Sequence, residues 1–546
     1  MRNFRFRSLP FVTGWRAAAF VVCGSFIGLV HISGALGLHQ PLPRLTATIL
    51  LIGILYRLWA SLGGYWASGG AGLLAGAGYF GVAVHWLGSA ANPDPATFIV
   101  GELWMAFGAL WLFIPWWGVW FVLGRALCPS SDPGGSVSAC AFAGSFSVAN
   151  LALGDFVMGI PMAPLSLVAL DTPLASLFTV VGQFGVDLAL IGAGTAIGVM
   201  SLHGKALAPA VASTLLVVSV LLPRPAPGVP PLDGTAEAAS SAHGAPVVWL
   251  AQPSLPHPSM MDPLAIDHTV KMSNRAQIAA GVASGASLIV LPEGAVLADM
   301  VAEPMEAQAL AAMLPVGTSL LAGFPRVEAE STAEGLMVRP YNSAMLLSAA
   351  GPVAIYDKAH LVPFGETMPA VLFWLGFDVI AGPSGGLARG PGIRAFQRDP
   401  ADSRSFALLI CYEALLPGAV AREIGQADWL LNISSESLLR GTIGPAITLD
   451  QTRIRALETG RPILRSTAHA FSGLIGSDGA VRVILAPEVS GGVAVSIPPR
   501  QKTVFASFGS FAFAPLYLVT IFLVLAAGAA RLGIGLRLSV KSLFFN

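Results

Sequence analysis

The sequence predicts a protein in two parts: a membrane α-helical bundle of about eight spans and an α/β domain of alternating strands and helices. Three observations carry this. The 546 residues are 54% hydrophobic and 11% charged, with a mean hydropathy of +0.71, which is far more apolar than a water-soluble chain. The charge is uneven, because residues 1–222 hold very little of it whereas residues 246 to about 505 carry the mixed charge of a soluble surface. Within that second region short apolar runs alternate with polar helical stretches, the pattern of an α/β layer fold.

A spanning helix needs about 20 mostly apolar residues. The N-terminal part offers seven such stretches, near 15–37, 43–62, 70–89, 98–124, 136–158, 175–199 and 206–222, and an eighth runs from about 508 to 530. Lys and Arg collect on the cytoplasmic side of spans. Arg2, Arg5, Arg7 and Arg16 therefore put the N-terminus inside, and alternate crossings leave Arg125, Lys205, Arg531, Arg537 and Lys541 inside as well. Seven crossings then carry the soluble domain to the outside, which predicts a bacterial inner-membrane protein whose domain faces the periplasm.

The divisions follow: 1–222 as the N-terminal membrane part, 223–246 as a linker rich in Pro, Ala, Gly and Ser, 247–505 as the soluble domain, and 506–546 as the last span with a cytoplasmic tail. In the soluble domain strands are expected at 247–253, 287–294, 318–325, 342–349, 405–413 and 429–434, and a helix at 274–286. Net charge is zero with no basic run, so nucleic acid is not an expected partner.

Three residue types stand where chemistry is placed in such folds, at strand ends. Cys411 ends an apolar run and is the one cysteine of the soluble region, since Cys23, Cys128 and Cys140 lie in the apolar half. A thiol attacks as thiolate and needs a base; Glu293 ends another apolar run, where partial burial brings a carboxylate toward neutral pKa. The oxyanion formed on attack needs a fixed positive charge, which Lys358 could supply. Each also has an ordinary reading: core thiol, helix cap and solvated charge. His360 and His469 are single histidines without metal spacing, and no CxxC, HExxH or phosphate-cradling loop occurs, so neither metal nor cofactor is expected.

LPEG around Glu293, YNSAMLL and YDKAHLVPFGE around Lys358 and Glu366, and ICYE around Cys411 resemble, in order and spacing, the Glu, Lys and Cys motifs of the nitrilase, or carbon-nitrogen hydrolase, superfamily. The HLVPFGE form, the multi-span first half, the final span and RALETGRPILRST at 455–467 are similar to the apolipoprotein N-acyltransferase family. The resemblance implies a nitrilase-like αββα sandwich, with Glu293 as general base, Lys358 on the oxyanion and Cys411 as nucleophile. It also implies Glu366 and Glu413 as supporting carboxylates and Tyr412 as the residue following the nucleophile. The reaction it implies takes an acyl chain from a phospholipid donor onto the thiol and passes it to an amine acceptor, a lipoprotein N-terminal cysteine, within reach of membrane lipid.

The chain departs from that family at AQPSLPHPSMM, where Met260 and Met261 stand near an expected aromatic. It departs again at SSESLLRG, 434–441, and at GPAIT, 444–448. Such changes also resemble the TraB-type relatives of conjugative plasmids, with acyl-transfer or amidase chemistry on another substrate. Two further readings stay open: a catalytically weak membrane component that binds lipid or a partner, and a small-molecule amidase.

Overall fold

The computed structural model describes residues 12, 14–38, 40–91, 108, 113–128, 134–157, 163–203, 247–253, 263–332, 335–363, 365–367, 386–397, 404–508, 511 and 513–531. The chain divides into two compact units, Met1–Arg224 with Phe513–Asn546, and Pro225–Ala512.

The first unit is helical. It contains α1 (Trp15–Ile32), α2 (Pro41–Ala60), α3 (Tyr65–Ala83), α4 (Ile114–Leu127), α5 (Ser136–Leu151) and α6 (Phe178–His203), together with a C-terminal helix, Ala514–Arg531. Four described segments are long and apolar enough to cross a membrane: Trp15–Ile32, Pro41–Ala60, Ser136–Gly154 and Pro173–Met200. The helix expected at 70–89 forms as α3 but is not among the four, because glycine replaces larger apolar residues along it. Those glycines have a packing reason, since a Cβ at Gly24 of α1 or Gly78 of α3 would strike a backbone carbonyl of the facing helix. Of the stretch expected at 98–124, the described helix is Ile114–Leu127; the span expected at 206–222 and the linker 223–246 lie outside the described residues. Gly182, at φ 66°, breaks the sixth helix where a single straight span was expected.

The second unit carries two six-stranded sheets. Its strands are β1 (Val247–Gln252), β2 (Leu288–Val290), β3 (Ser319–Thr332), β4 (Gly335–Ser348), β5 (Gly351–Asp357), β6 (Ala395–Gln397), β7 (Ser405–Ile410), β8 (Trp429–Ser435), β9 (Ile463–Ala468), β10 (Ser472–Ile475), β11 (Val481–Leu485) and β12 (Gly491–Ser496). One sheet runs β12-β1-β2-β3-β4-β5 and the other β11-β10-β9-β8-β7-β6. The central strands β1, β2 and β3 are parallel, as are β7, β8 and β9.

Alternation along each strand sorts the side chains to two faces. Val248, Leu250, Val290 and Leu346 of the first sheet meet Phe406, Leu408, Ile410, Leu431 and Ile433 of the second in one buried core, where the Phe406 and Trp429 rings stack at 4.7 Å. The opposite faces are covered by helices. Those of α7 (Pro263–Ala283) and α8 (Pro304–Ala311) put Ile278 and Leu310 against Ile289 and Leu320. Those of α9 (Pro417–Glu423) and α10 (Gly444–Thr459) put Val420 and Ala456 against Leu409 and Leu430. This is the αββα layering of a nitrilase-like sandwich.

Several expected boundaries differ: the strand expected at 287–294 is only Leu288–Val290, and the helix expected to end at 286 ends at Ala283. The β3 and β4 strands extend beyond the expected 318–325 and 342–349, because residues 326–332 pair with 335–341 although they alternate weakly. Helix α7 begins eleven residues before the expected 274. The strand expected at 405–413 ends at Ile410, and Cys411–Leu415 is a 3-10 turn. Apolar continuity through Leu409, Ile410 and Cys411 concealed that break.

One polar contact ties the two sheets through the dry core: the Ser466 hydroxyl of β9 lies 2.7 Å from the Ala251 carbonyl and 3.1 Å from that of Val290. Removing it leaves buried polar groups poorer by a donor, so Ser466→Ala should cost about 1–3 kcal/mol of stability, read as a lower midpoint in chemical unfolding followed by tryptophan fluorescence. An unchanged midpoint would show the contact to be dispensable.

Candidate active site

Each of the three expected reactive groups follows the end of a strand. Glu293 comes three residues after β2, Lys358 directly after β5 and Cys411 directly after β7. The parallel strands of both sheets bring such ends to one edge, the place where open α/β sheets put their chemistry.

Cys411 has φ 52°, a left-handed conformation rare for a non-glycine residue. Such a residue costs on the order of 1–3 kcal/mol and persists only where its surroundings hold it. Glu413 supplies much of that hold. Its fully buried carboxylate accepts from the Ile410 N–H at 2.7 Å, the Ala359 N–H at 2.8 Å, the His360 N–H at 3.1 Å and the Tyr356 hydroxyl at 2.8 Å. One carboxylate thus fastens the thiol's turn to the segment that carries Lys358. Burial pushes its carboxyl pKa up, while the Ile410 and His360 N–H groups, the Tyr356 hydroxyl and Lys358 pull the other way.

Lys358 is fully buried. Its Nζ lies 2.8 Å from Glu366 Oε1 and 3.7 Å from Glu293 Oε1. Burial opposes its charge, but the neighbouring carboxylates of Glu293 and Glu366 outweigh that and raise its pKa, so it is an ammonium ion throughout the physiological range. Glu366 is itself fixed by the Val362 N–H at 2.8 Å. Glu293, 9% exposed, accepts from Asn342 Nδ2 at 2.6 Å and from the Ser435 N–H at 2.7 Å.

Cys411 is partly exposed, so a reagent can reach it. Its thiol pKa is nevertheless pushed up to about 12, first by burial of its surroundings and then by the charge of Glu293, with Lys358 and a hydrogen bond to Ser434 opposing. At neutral pH the sulfur is therefore a thiol with a carboxylate and an ammonium beside it.

The structure brings together Glu293, Lys358, Cys411, Glu366 and Glu413. Tyr412 turns away into the core between the second sheet and its helices. His360 bonds Glu423 at 2.9 Å, and His469 is buried 3.5 Å from Glu488. Met260 and Met261 lie outside the described residues.

Sequence reasoning missed Asn342, whose amide reaches both Glu293 and, at 3.2 Å, Glu366. Its signal was the YNSAMLL motif, read as a strand and as part of the family resemblance without a role for Asn342. It also missed Gly323. A Cβ there would stand 2.7 Å from the Glu293 Cα and 2.8 Å from the Gly294 N, so β3 can pass this turn only as glycine. Gly323→Ala should displace Glu293 and reduce any Cys411-dependent turnover about 100-fold; turnover within a few-fold of wild type would contradict it.

Residues 258–499 match the carbon-nitrogen hydrolase family. An apolipoprotein N-acyltransferase of Bradyrhizobium diazoefficiens is 33% identical over 252 residues, 45% of this chain and 46% of that protein, so this match spans about half of either. One from Caulobacter vibrioides is 29% identical over 477 residues, 82% of this chain and 84% of that one. Among solved structures, a variant amidase from Nesterenkonia sp. AN1 is 18% identical with a TM-score of 0.31, covering 47% of this chain and 92% of that one. The relatives and the four apolar helices together make this a membrane protein. The chain is thus similar to carbon-nitrogen hydrolases over residues 258–499, and to apolipoprotein N-acyltransferases over as much as 82% of its length.

Proposed function

We propose that this protein is an N-acyltransferase that moves a fatty acyl chain from a phospholipid, through a thioester on Cys411, to an amine such as a lipoprotein N-terminal cysteine. The observation that carries the reading is the gathering of Glu293, Lys358 and Cys411 from three strand ends, with Lys358 3.7 Å from the Glu293 carboxylate.

The chemistry follows from the charges. Because the thiol is held protonated near neutral pH, it needs a base that acts as it attacks. Glu293 takes the S–H proton while sulfur adds to the ester carbonyl, and the Lys358 ammonium stabilises the oxyanion. Collapse expels the lysophospholipid alkoxide, which recovers the proton from Glu293. The acceptor amine then attacks the thioester, gives its proton to Glu293, and the sulfur leaves and is reprotonated. Glu366 holds Lys358, and Glu413 holds both the lysine segment and the thiol's turn.

The distribution of Arg and Lys beside the apolar stretches supports a bacterial inner-membrane location with the 247–505 domain in the periplasm. Both substrates carry hydrocarbon chains, so an enzyme anchored in the bilayer works without extracting them into water.

Purified protein incubated with phospholipid should gain a fatty-acyl mass on Cys411 that hydroxylamine removes and Cys411→Ala lacks. No such mass in active lipid would overturn the reading. Glu293→Gln separates the base from its charge: removing the carboxylate should lower the thiol pKa and speed alkylation of Cys411 at a given pH, while thioacylation falls about 10²–10⁴-fold. Loss of both, or retention of both, would remove Glu293 from its role.

A further inference from the structure

Ser434 and Ser435, the last residues of β8, and Glu436 just after it each meet a different partner. The Ser434 side chain hydrogen bonds the Cys411 thiol. The Ser435 N–H donates to Glu293 Oε2 at 2.7 Å. Glu436, 4% exposed, turns inward: its Oε1 lies 2.7 Å from Arg465 Nη2, and the Thr448 hydroxyl donates to Oε2 at 2.9 Å. Its own N–H donates to the Ala468 carbonyl at 3.0 Å.

Arg465 is 2% exposed, sits on β9 opposite Asn432, and donates a second bond to the Thr452 hydroxyl at 3.3 Å. A buried ion pair of this kind is weak as a source of stability, since desolvation offsets most of its attraction. Its geometric effect is larger. Thr448 of α10 and Arg465 of β9, the latter itself bonded to Thr452, fix Glu436 from two sides, so the backbone of 434–436 has one place to lie. The stretch also falls in SSESLLRG, where the sequence departs from its family.

We propose that Glu436, clamped by Arg465 and Thr448, is a positioning residue: it sets the strap Ser434–Ser435 that holds the Cys411 thiol and the Glu293 carboxylate in register. The inference rests on Cys411 and Glu293 being the reacting pair.

The charged groups facing the thiol are Glu293 after β2, Lys358 after β5 with Glu366 behind it, and Glu436 with Arg465 behind it. A hydrogen bond to sulfur favours the thiolate and a nearby carboxylate disfavours it. Two substitutions therefore separate geometry from charge. Glu436→Asp keeps the charge and shortens the arm, so it cannot reach Arg465 and Thr448 together and draws the strap from the thiol. Glu436→Gln keeps the arm's length and its acceptor oxygen while losing the charge.

The test is iodoacetamide alkylation of Cys411 across pH in the full-length protein, read by peptide mass at that cysteine, with phospholipid thioacylation measured in parallel. Glu436→Asp should move the alkylation profile to higher pH and slow thioacylation about tenfold. Glu436→Gln should leave the profile in place or move it to lower pH, with thioacylation within about threefold of wild type. Thr448→Val, which leaves every charge in place, should follow Glu436→Asp in direction. A Glu436→Asp profile superimposable on wild type overturns the inference, as does a Glu436→Gln profile displaced upward as far as that of Glu436→Asp. Wild type that alkylates with the expected shifts yet never thioacylates overturns the proposed function and leaves the positioning role standing.

Discussion

The carboxylate of Glu413 is the contact on which the site depends. It is fully buried and is satisfied by four donors, three of them backbone N–H groups from two separate segments. A buried charge is tolerable only when its hydrogen bonds are complete, and completing them requires the turn after β7 and the segment after β5 to sit together. The strained backbone of Cys411 and the placement of Lys358 are two consequences of that one requirement. No apolar contact could impose it, because apolar packing specifies volume and not the position of an individual N–H.

Around this anchor the charges are arranged in opposition. Glu293 and Glu366 share the neighbourhood of one ammonium, Lys358, and one amide, Asn342. Two carboxylates so close would repel, and the lysine and the amide between them make the pair tolerable. Glu436 places a third carboxylate within electrostatic range, matched by Arg465. The thiol thus sits among groups whose balance, led by burial, holds it protonated.

The helical unit solves a different problem. Where the surrounding medium is hydrocarbon, burial of apolar surface gives helices little reason to associate, and close backbone approach replaces it. Glycines on α1 and α3 allow that approach, and the indole N–H groups of Trp59 and Trp120 each find a backbone carbonyl, at 3.2 and 2.8 Å. In the sandwich the logic is reversed: aliphatic strand faces make the core, and polar groups gather at the edge where strands end.

The two-part organisation, the alternating strands and the placing of Glu293, Lys358 and Cys411 after strand ends were legible in the sequence, because hydropathy and side-chain period are local properties and the motifs around these three residues are short. The end of β7 was misplaced by three residues, since an apolar run carries no mark of where a ladder stops. Glu366 and Glu413 were known only through resemblance, and their partners not at all. Asn342, Gly323, the Ser435 N–H and Glu436 were chosen by tertiary structure alone. Asn342 and the Ser435 N–H reach Glu293 across 49 and 142 positions, Gly323 meets it across 30, and Glu436 meets Arg465 across 29; a backbone donor or a missing Cβ leaves no chemical signature in a string of letters.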